Sequence, residues 1–166
     1  MMRGQAQRCD LPVDPPIVSI LLPAFNARAT LAACLRSIER QTMTRWECVV
    51  VDDGSDDGTA GLLRAAARDQ RVVVVSTPHR GLVAALNTGM QHCRGRFIAR
   101  MDADDLMHCE RLAEQYRALE FHPELAGVGC QVRFFPRMSM ADGRRDYERW
   151  LNSIDSPQLR DFVCAA

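Results

Sequence analysis

Ile17-Val18-Ser19-Ile20-Leu21-Leu22-Pro23-Ala24-Phe25-Asn26 is the stretch on which the fold turns. An uninterrupted apolar run this short reads as a strand buried on both faces, the pattern of a parallel sheet. Pro23 is expected to stop it, because proline lacks the N–H that a ladder requires.

Working outward, Ala29 to Gln41 puts Leu31, Cys34, Leu35 and Ile38 at helical spacing, with Thr30 as the cap. A second strand, Trp46 to Val51, ends in Asp52-Asp53-Gly54-Ser55-Asp56-Asp57-Gly58-Thr59, a tight loop by its Asp and Gly content. Thr59 to Asp69 is the next helix. Arg71 to Ser76, with four consecutive valines, is the third strand, and Gly81 to Cys93 a helix closed by Gly95. Phe97 to Met101 is the fourth strand, and Cys109 to Phe121 a helix with Leu112, Tyr116 and Leu119 inward. Leu125 to Phe135 is expected as a fifth strand, interrupted near Gly127 and Gly129. Past Pro136, Arg137 to Arg145 reads as a loop, Tyr147 to Ser153 as two helical turns and Asp155-Ser156-Pro157 as a break. Repeated strand–helix units predict an α/β fold: an open, mostly parallel sheet with helices on both faces.

Composition bounds the function. The 166 residues are 47% hydrophobic, enough for one soluble domain with a real core. Twenty-one basic residues, all of them Arg, balance twenty-one acidic ones, so no positive field argues for nucleic acid. Seven scattered cysteines without a C-x-x-C pair suit neither a zinc site nor a disulfide scaffold and predict a reducing, cytoplasmic setting. Residues 1–16 read as a flexible polar tail without a signal-peptide core, and no run reaches the roughly eighteen apolar residues of a membrane span. Peripheral association with a membrane stays compatible with this.

Arg100-Met101-Asp102-Ala103-Asp104-Asp105-Leu106 puts three carboxylates directly after the fourth strand. Alone it reads equally as a metal site or as an acidic loop capping the next helix. In a parallel sheet, ligands gather at the carboxyl ends of the strands. Three polar loops meet that edge: Pro23 to Asn26, Asp52 to Ser55 and Asp102 to Asp105. Neither G-x-G-x-x-G nor G-x-x-x-x-G-K-[ST] is present, so a phosphate would need another device. A divalent cation shared between carboxylates and phosphate oxygens is one.

Val18 to Asn26, Val50 to Thr59 and Ala99 to Asp105 resemble the three signature blocks of family 2 glycosyltransferases, with further similarity in Gly81 to Gly89 and Glu110 to Gln115. The resemblance spans residues 17–135. It implies the GT-A fold, a Rossmann-like sandwich, and transfer of sugar with inversion from a nucleotide-diphosphate sugar to an acceptor hydroxyl, as in polysaccharide biosynthesis. UDP- or dTDP-sugar is the expected donor, the acceptor being a saccharide, a lipid-linked group or a protein. By the same resemblance Pro23, Ala24, Phe25 and Asn26 line the base and ribose, Asp53 hydrogen-bonds the base, and Asp52 shapes its loop. Asp102 faces the ribose or the metal shell, and Asp104 coordinates Mg²⁺ or Mn²⁺, giving Asp104 and Asp102 as the metal pair.

The chain departs from the family pattern in three places. Leu86 stands where members often carry Arg, leaving Arg80 or Arg100 to meet the diphosphate. Cys109 stands where Pro is common. The catalytic base normally lies well downstream of the D-x-D block, and neither Asp155 nor Asp161 sits in a motif for it. Residues 17–135 are therefore expected to bind donor, and 136–166 to begin a truncated acceptor-side region. A catalytically incomplete nucleotide-sugar-binding module is the alternative, and a nucleotidyltransferase trails for want of a Gly-rich loop after the first strand. His79, His92, His108 and His122 are expected to be solvated or helix-terminal, Arg94 and Arg96 a solvated strand edge, and Trp46 and Trp150 packing residues, the last with sugar stacking as its other role.

Overall fold

Parallel pairing begins with the β-branched and leucine runs, which supply strands without polar alternation. The computed structural model describes residues 15–135 and 141–154; the tail before residue 15, positions 136–140 and the late acids Asp155 and Asp161 lie outside them. The strands are β1 (Val18–Ala24), β2 (Trp46–Asp52), β3 (Val72–Ser76) and β4 (Phe97–Arg100). The helices are α1 (Leu31–Glu39), α2 (Thr59–Ala66), α3 (Leu82–Met90), α4 (Arg111–Phe121) and α5 (Asp142–Asn152). The sheet order is β3-β2-β1-β4 and every pairing is parallel. The order reverses between β1 and β4, so the crevice in which such sheets bind ligands lies between the loops that follow these two strands.

One face of the sheet carries the main core. Ile20, Leu22, Cys48 and Val50 pack there against Leu31, Cys34, Leu35 and Ile38 of α1, Leu63 of α2 and Leu112 of α4. The helical spacing read from the sequence is therefore the buried stripe. α3 covers the other face so closely that a Cβ on Gly89 would lie 2.3 Å from Leu21 Cδ1 and 2.9 Å from Val51 Cγ2. Gly89→Ala is expected to destabilise the protein by about 1–3 kcal/mol through overpacking, read as a lowered urea midpoint.

Three expectations are corrected. Pro23 does not stop β1, which runs on to Ala24 and pairs Pro23 with Val51. Leu21 carbonyl still accepts the Met101 amide on the β4 side, whereas the Ala24 carbonyl accepts the Asp53 amide on the β2 side. By alternation the missing N–H of Pro23 faces the side where β4 has already ended, so its absence leaves no ladder bond unmade. Residues 125–135 form no strand. Their backbone is held by side chains instead: Gln115 Nε2 donates to the Val128 and Gly129 carbonyls, Asn152 makes two bonds with Val132, and Glu148 accepts the Phe134 amide at 2.7 Å. Four residues of helix and two of extended chain both span about 6 Å, so Glu148 and Asn152 on α5 match alternate residues of the segment. That helix starts at Asp142, inside the stretch read as a loop, and is longer than the two turns expected from Tyr147.

Candidate functional site

The loops after β1 and β2 are bonded into one rim. Asn26, at φ 50°, donates its amide to Ser55 Oγ at 3.0 Å and accepts the Asp56 amide on Oδ1 at 3.0 Å. Asp52 accepts the Ser55 amide at 3.1 Å, the loop-shaping geometry expected of it. Pro23 and Ala24 are buried beneath this rim, and Phe25 stands out of it at 47% exposure.

Asp53 is buried at the base of the rim. Its Oδ1 accepts the Arg80 amide at 3.0 Å and the Thr77 hydroxyl at 3.3 Å; its Oδ2 accepts the Gly81 amide at 2.8 Å and faces His79 Nδ1 at 2.8 Å. Burial raises its pKa, but the two amides, His79 and Thr77 together outweigh it and hold the group below the ordinary carboxylate value. The loop that carries these donors approaches Gly54, where a Cβ would lie 2.8 Å from the His79 amide nitrogen; Gly54 also sits at φ +78°. His79, read from sequence as solvated or helix-terminal, keeps a half-exposed side chain and stacks on Phe25 with ring centroids 4.0 Å apart and planes at 21°.

The acidic loop lies across the switch point. One guanidinium nitrogen of Arg100 straddles both oxygens of Asp102, at 2.9 and 3.3 Å. Asp104 is exposed. Asp105 is pushed above the ordinary carboxylate value by burial and then by repulsion from Asp104 and Asp102, which Arg111 and Arg100 offset only in part. The loop is anchored from below by α1 and by Gln41 just past its end, a set of contacts no motif announced. Cys34 Sγ donates to the Asp102 carbonyl at 3.5 Å, Ser37 Oγ accepts the Met107 amide at 3.0 Å, and Gln41 bonds both the His108 carbonyl and the Leu112 amide. Burial first, then the three nearby Asp carboxylates, push the Cys34 thiol up to about 12, so it stays protonated.

These residues fit a divalent cation as half a site. Carboxylate oxygens are the right donors for Mg²⁺ or Mn²⁺, and Asp102, Asp104 and Asp105 bring three carboxylates to one loop. Among the described residues no group of three or more His, Cys, Asp or Glu side chains is placed to hold a metal, so the remaining ligands would have to come from substrate. A cleft of about 1140 Å³ opens beside the loop, lined by Asp102, Asp105, Arg111, Glu114, Arg133 and Glu148 among others.

Arg94 is more than a solvated edge: though largely exposed, it binds the buried Glu47 at the opposite end of the sheet. Trp46 is buried under the Arg71 guanidinium, as a packing residue should be, whereas Trp150 is 54% exposed beside Tyr147 and is no part of the core.

An open parallel α/β sheet with polar and acidic loops beside its switch point defines a ligand-binding α/β domain whose candidate site lies at the carboxyl ends of β1, β2 and β4. The chain belongs to glycosyl transferase family 2, whose pattern it matches over residues 19–161. It is 33% identical over 132 residues to EpsE of Bacillus subtilis, covering 78% of this chain and 48% of that one. It is 35% identical over 104 residues to the UDP-Glc:alpha-D-GlcNAc-diphosphoundecaprenol beta-1,3-glucosyltransferase WfgD of Escherichia coli, covering 62% and 41%. The solved mannosyltransferase PcManGT of Pyrobaculum calidifontis, in complex with GDP-Man and Mn²⁺, superposes with a TM-score of 0.59 at 31% identity over 63% of this chain and 32% of that one. The chain thus spans about half the length of the curated relatives it matches.

Proposed function

We propose that the chain binds the nucleotide-diphosphate sugar of a glycosyl transfer reaction and that the protein moves the sugar to an acceptor hydroxyl with inversion. The observation that carries this reading is the convergence at one sheet edge of the Phe25–His79–Asp53 cluster and the Asp102–Asp105 loop, on opposite sides of the β1/β4 reversal. UDP- or dTDP-sugar is the proposed donor; WfgD, by its name, uses UDP-Glc. Pro23, Ala24, Phe25, Asn26 and Asp53 form the base and ribose side, and Asp102 and Asp104 the diphosphate side.

Asp104, with Asp102, would hold Mg²⁺ or Mn²⁺ on the diphosphate; when bound, such a cation offsets the charge that grows on the leaving nucleoside diphosphate. Arg100 holds Asp102 in place and tempers its charge, and the exposed Arg80 is the second arginine for phosphate. The cleft beside the loop would take the acceptor, unassigned among saccharides, lipid-linked groups and proteins. No side chain is assigned as the base that deprotonates its hydroxyl. On this proposal residues 17–135 are the donor domain, 136–166 lead into the acceptor side, and the setting is cytoplasmic; among the described residues no helix is long and apolar enough to cross a membrane. Because the chain covers about half of its relatives, a donor-binding module without transfer of its own is the second reading.

Calorimetry with UDP tests the first part directly. Binding is expected with Mn²⁺ and much weaker with EDTA; no binding in either condition overturns the proposal. Transfer from UDP-sugar, with its stereochemistry read by NMR, separates the full enzyme from the module.

A further inference from the structure

Equal numbers of basic and acidic residues leave the chain neutral, but the charges are not evenly spread. Among the described residues, Arg71, Arg94, Arg96, Arg100, Arg117 and Arg149 each bridge to a carboxylate. Arg36 and Arg40 at the end of α1, and Arg64 and Arg68 at the end of α2, do not. All four are exposed, and among the described residues their guanidinium groups have no hydrogen-bond or ion-pair partner. Residues 31–40 and 59–68 hold these four arginines and one acid, Glu39.

Packing gathers them on one surface. α1 and α2 touch side by side on the same face of the sheet, with Leu31, Cys34, Leu35 and Ile38 of one and Leu63 of the other in a single core. In each helix the two arginines are four residues apart on the side away from that core, so each pair forms a short ridge along the helix. Packed helices lie about 8–10 Å apart, and the Debye length at physiological ionic strength is about 8 Å, so the two ridges act as one field. The helix dipole does not demand this arrangement. Like charges four residues apart repel, and α3 and α4 have no basic residue in their last turns at all.

We infer that the Arg36, Arg40, Arg64 and Arg68 face of α1 and α2 docks on an anionic lipid surface. The argument is charge complementarity. Guanidinium groups match phosphate oxygens, two helices side by side present their arginines as a flat array, and lipid headgroups can move within their plane to meet fixed charges. A nucleic acid fits this face less well. Residues 31–40 and 59–68 contain no aromatic side chain on which a base could stack, and the chain as a whole has no net positive charge. The helices run opposite to the strands, so their ends lie toward the amino edge of the sheet, away from the candidate site. The inference therefore stands apart from the donor-binding proposal.

Vesicle flotation tests it, with vesicles of phosphatidylcholine and phosphatidylglycerol set against vesicles of phosphatidylcholine alone. The wild-type chain is expected to float with the mixed vesicles at about 0.1 M salt, to leave them at about 1 M, and to ignore phosphatidylcholine. An arginine near an anionic surface contributes about five-fold in affinity, so Arg36→Gln with Arg40→Gln, or Arg64→Gln with Arg68→Gln, should each lose about 25-fold. All four changes together should leave no preference for the mixed vesicles. Arg96→Gln with Arg117→Gln removes as much charge as either pair but from arginines bridged to Glu120 and Glu114, and should bind within about two-fold of wild type. The four-fold variant should melt no lower than wild type, since these arginines bond nothing in the fold. Wild type that does not prefer the mixed vesicles, a preference that survives all four changes, or an equal loss in the Arg96 and Arg117 variant overturns the inference. So does a lowered melting temperature, which would make the arginines structural. Release from the mixed vesicles by duplex RNA at equal phosphate concentration would assign the face to nucleic acid and overturn it as well. Calorimetry with UDP reads the donor proposal separately, and its failure would leave the vesicle result standing.

Discussion

Replacing Asp104 by alanine is expected to abolish the Mn²⁺-dependent part of UDP binding, a loss of at least about 100-fold, or about 2.7 kcal/mol. The size follows from the partition of roles in the acidic loop. Asp102 is bound on both oxygens by one Arg100 nitrogen, whereas Asp104 is exposed beside it. A cation that keeps few protein ligands depends heavily on each. Asp102→Asn should cost less, because part of that carboxylate's charge is already met within the chain. Titration of Mn²⁺ in the presence of UDP, followed by electron paramagnetic resonance, reads the two variants without reference to turnover. Unchanged Mn²⁺ uptake in Asp104→Ala would remove the metal role from this residue, and equal losses in the two variants would remove the partition.

The parallel sheet and its helices were legible because apolar runs without alternation leave few other folds, and the buried stripe of α1 is the one its spacing predicts. The acidic loop and the D-D-G-S loop were legible as a candidate site because carboxylates at the carboxyl edge of a strand are hard to explain as packing. What the sequence hid depends on contacts between distant segments. His79 looked like a lone surface histidine, since nothing local says that the turn before α3 folds back onto Asp53. Residues 125–135 have strand-like composition, but their backbone partners are side chains from α4 and α5 rather than a neighbouring strand. Pro23 misled for a similar reason: whether a proline ends a strand depends on which neighbour its missing N–H would have met. Glu47 was the overlooked signal, a single acid inside an apolar strand, where an unpaired charge could not be tolerated.

That acid sets the second large effect: Arg94→Ala is expected to destabilise the fold by about 3 kcal/mol, the lower end of the range for breaking a buried ion pair. Glu47 is 1% exposed and accepts the Ser19 hydroxyl at 2.6 Å, the Arg94 amide at 2.6 Å, and Arg94 Nε and Nη2 at 2.8 and 2.7 Å. The Arg94 side chain is 66% exposed, so water can replace part of what the guanidinium supplies, and the upper end of the range does not apply. The pH dependence separates this cause from simple loss of packing. Burial alone would raise the pKa of Glu47, but the Ser19 and Arg94 hydrogen bonds and the Arg94 charge hold it below its ordinary value. In the wild-type protein this contributes stability above the unfolded pKa of about 4.3 that is lost as pH falls through the folded pKa. Removing the guanidinium takes away two of four donors and the charge, so the folded pKa climbs and the variant suffers most where Glu47 must stay ionised. Urea denaturation should show the gap between wild type and variant widest near pH 7 and narrowing below about pH 4. A gap that does not change with pH would assign the loss to packing alone. Glu47→Gln combined with Arg94→Ala should recover part of the stability, since a neutral amide keeps an oxygen for Ser19 and the Arg94 amide without a charge to bury.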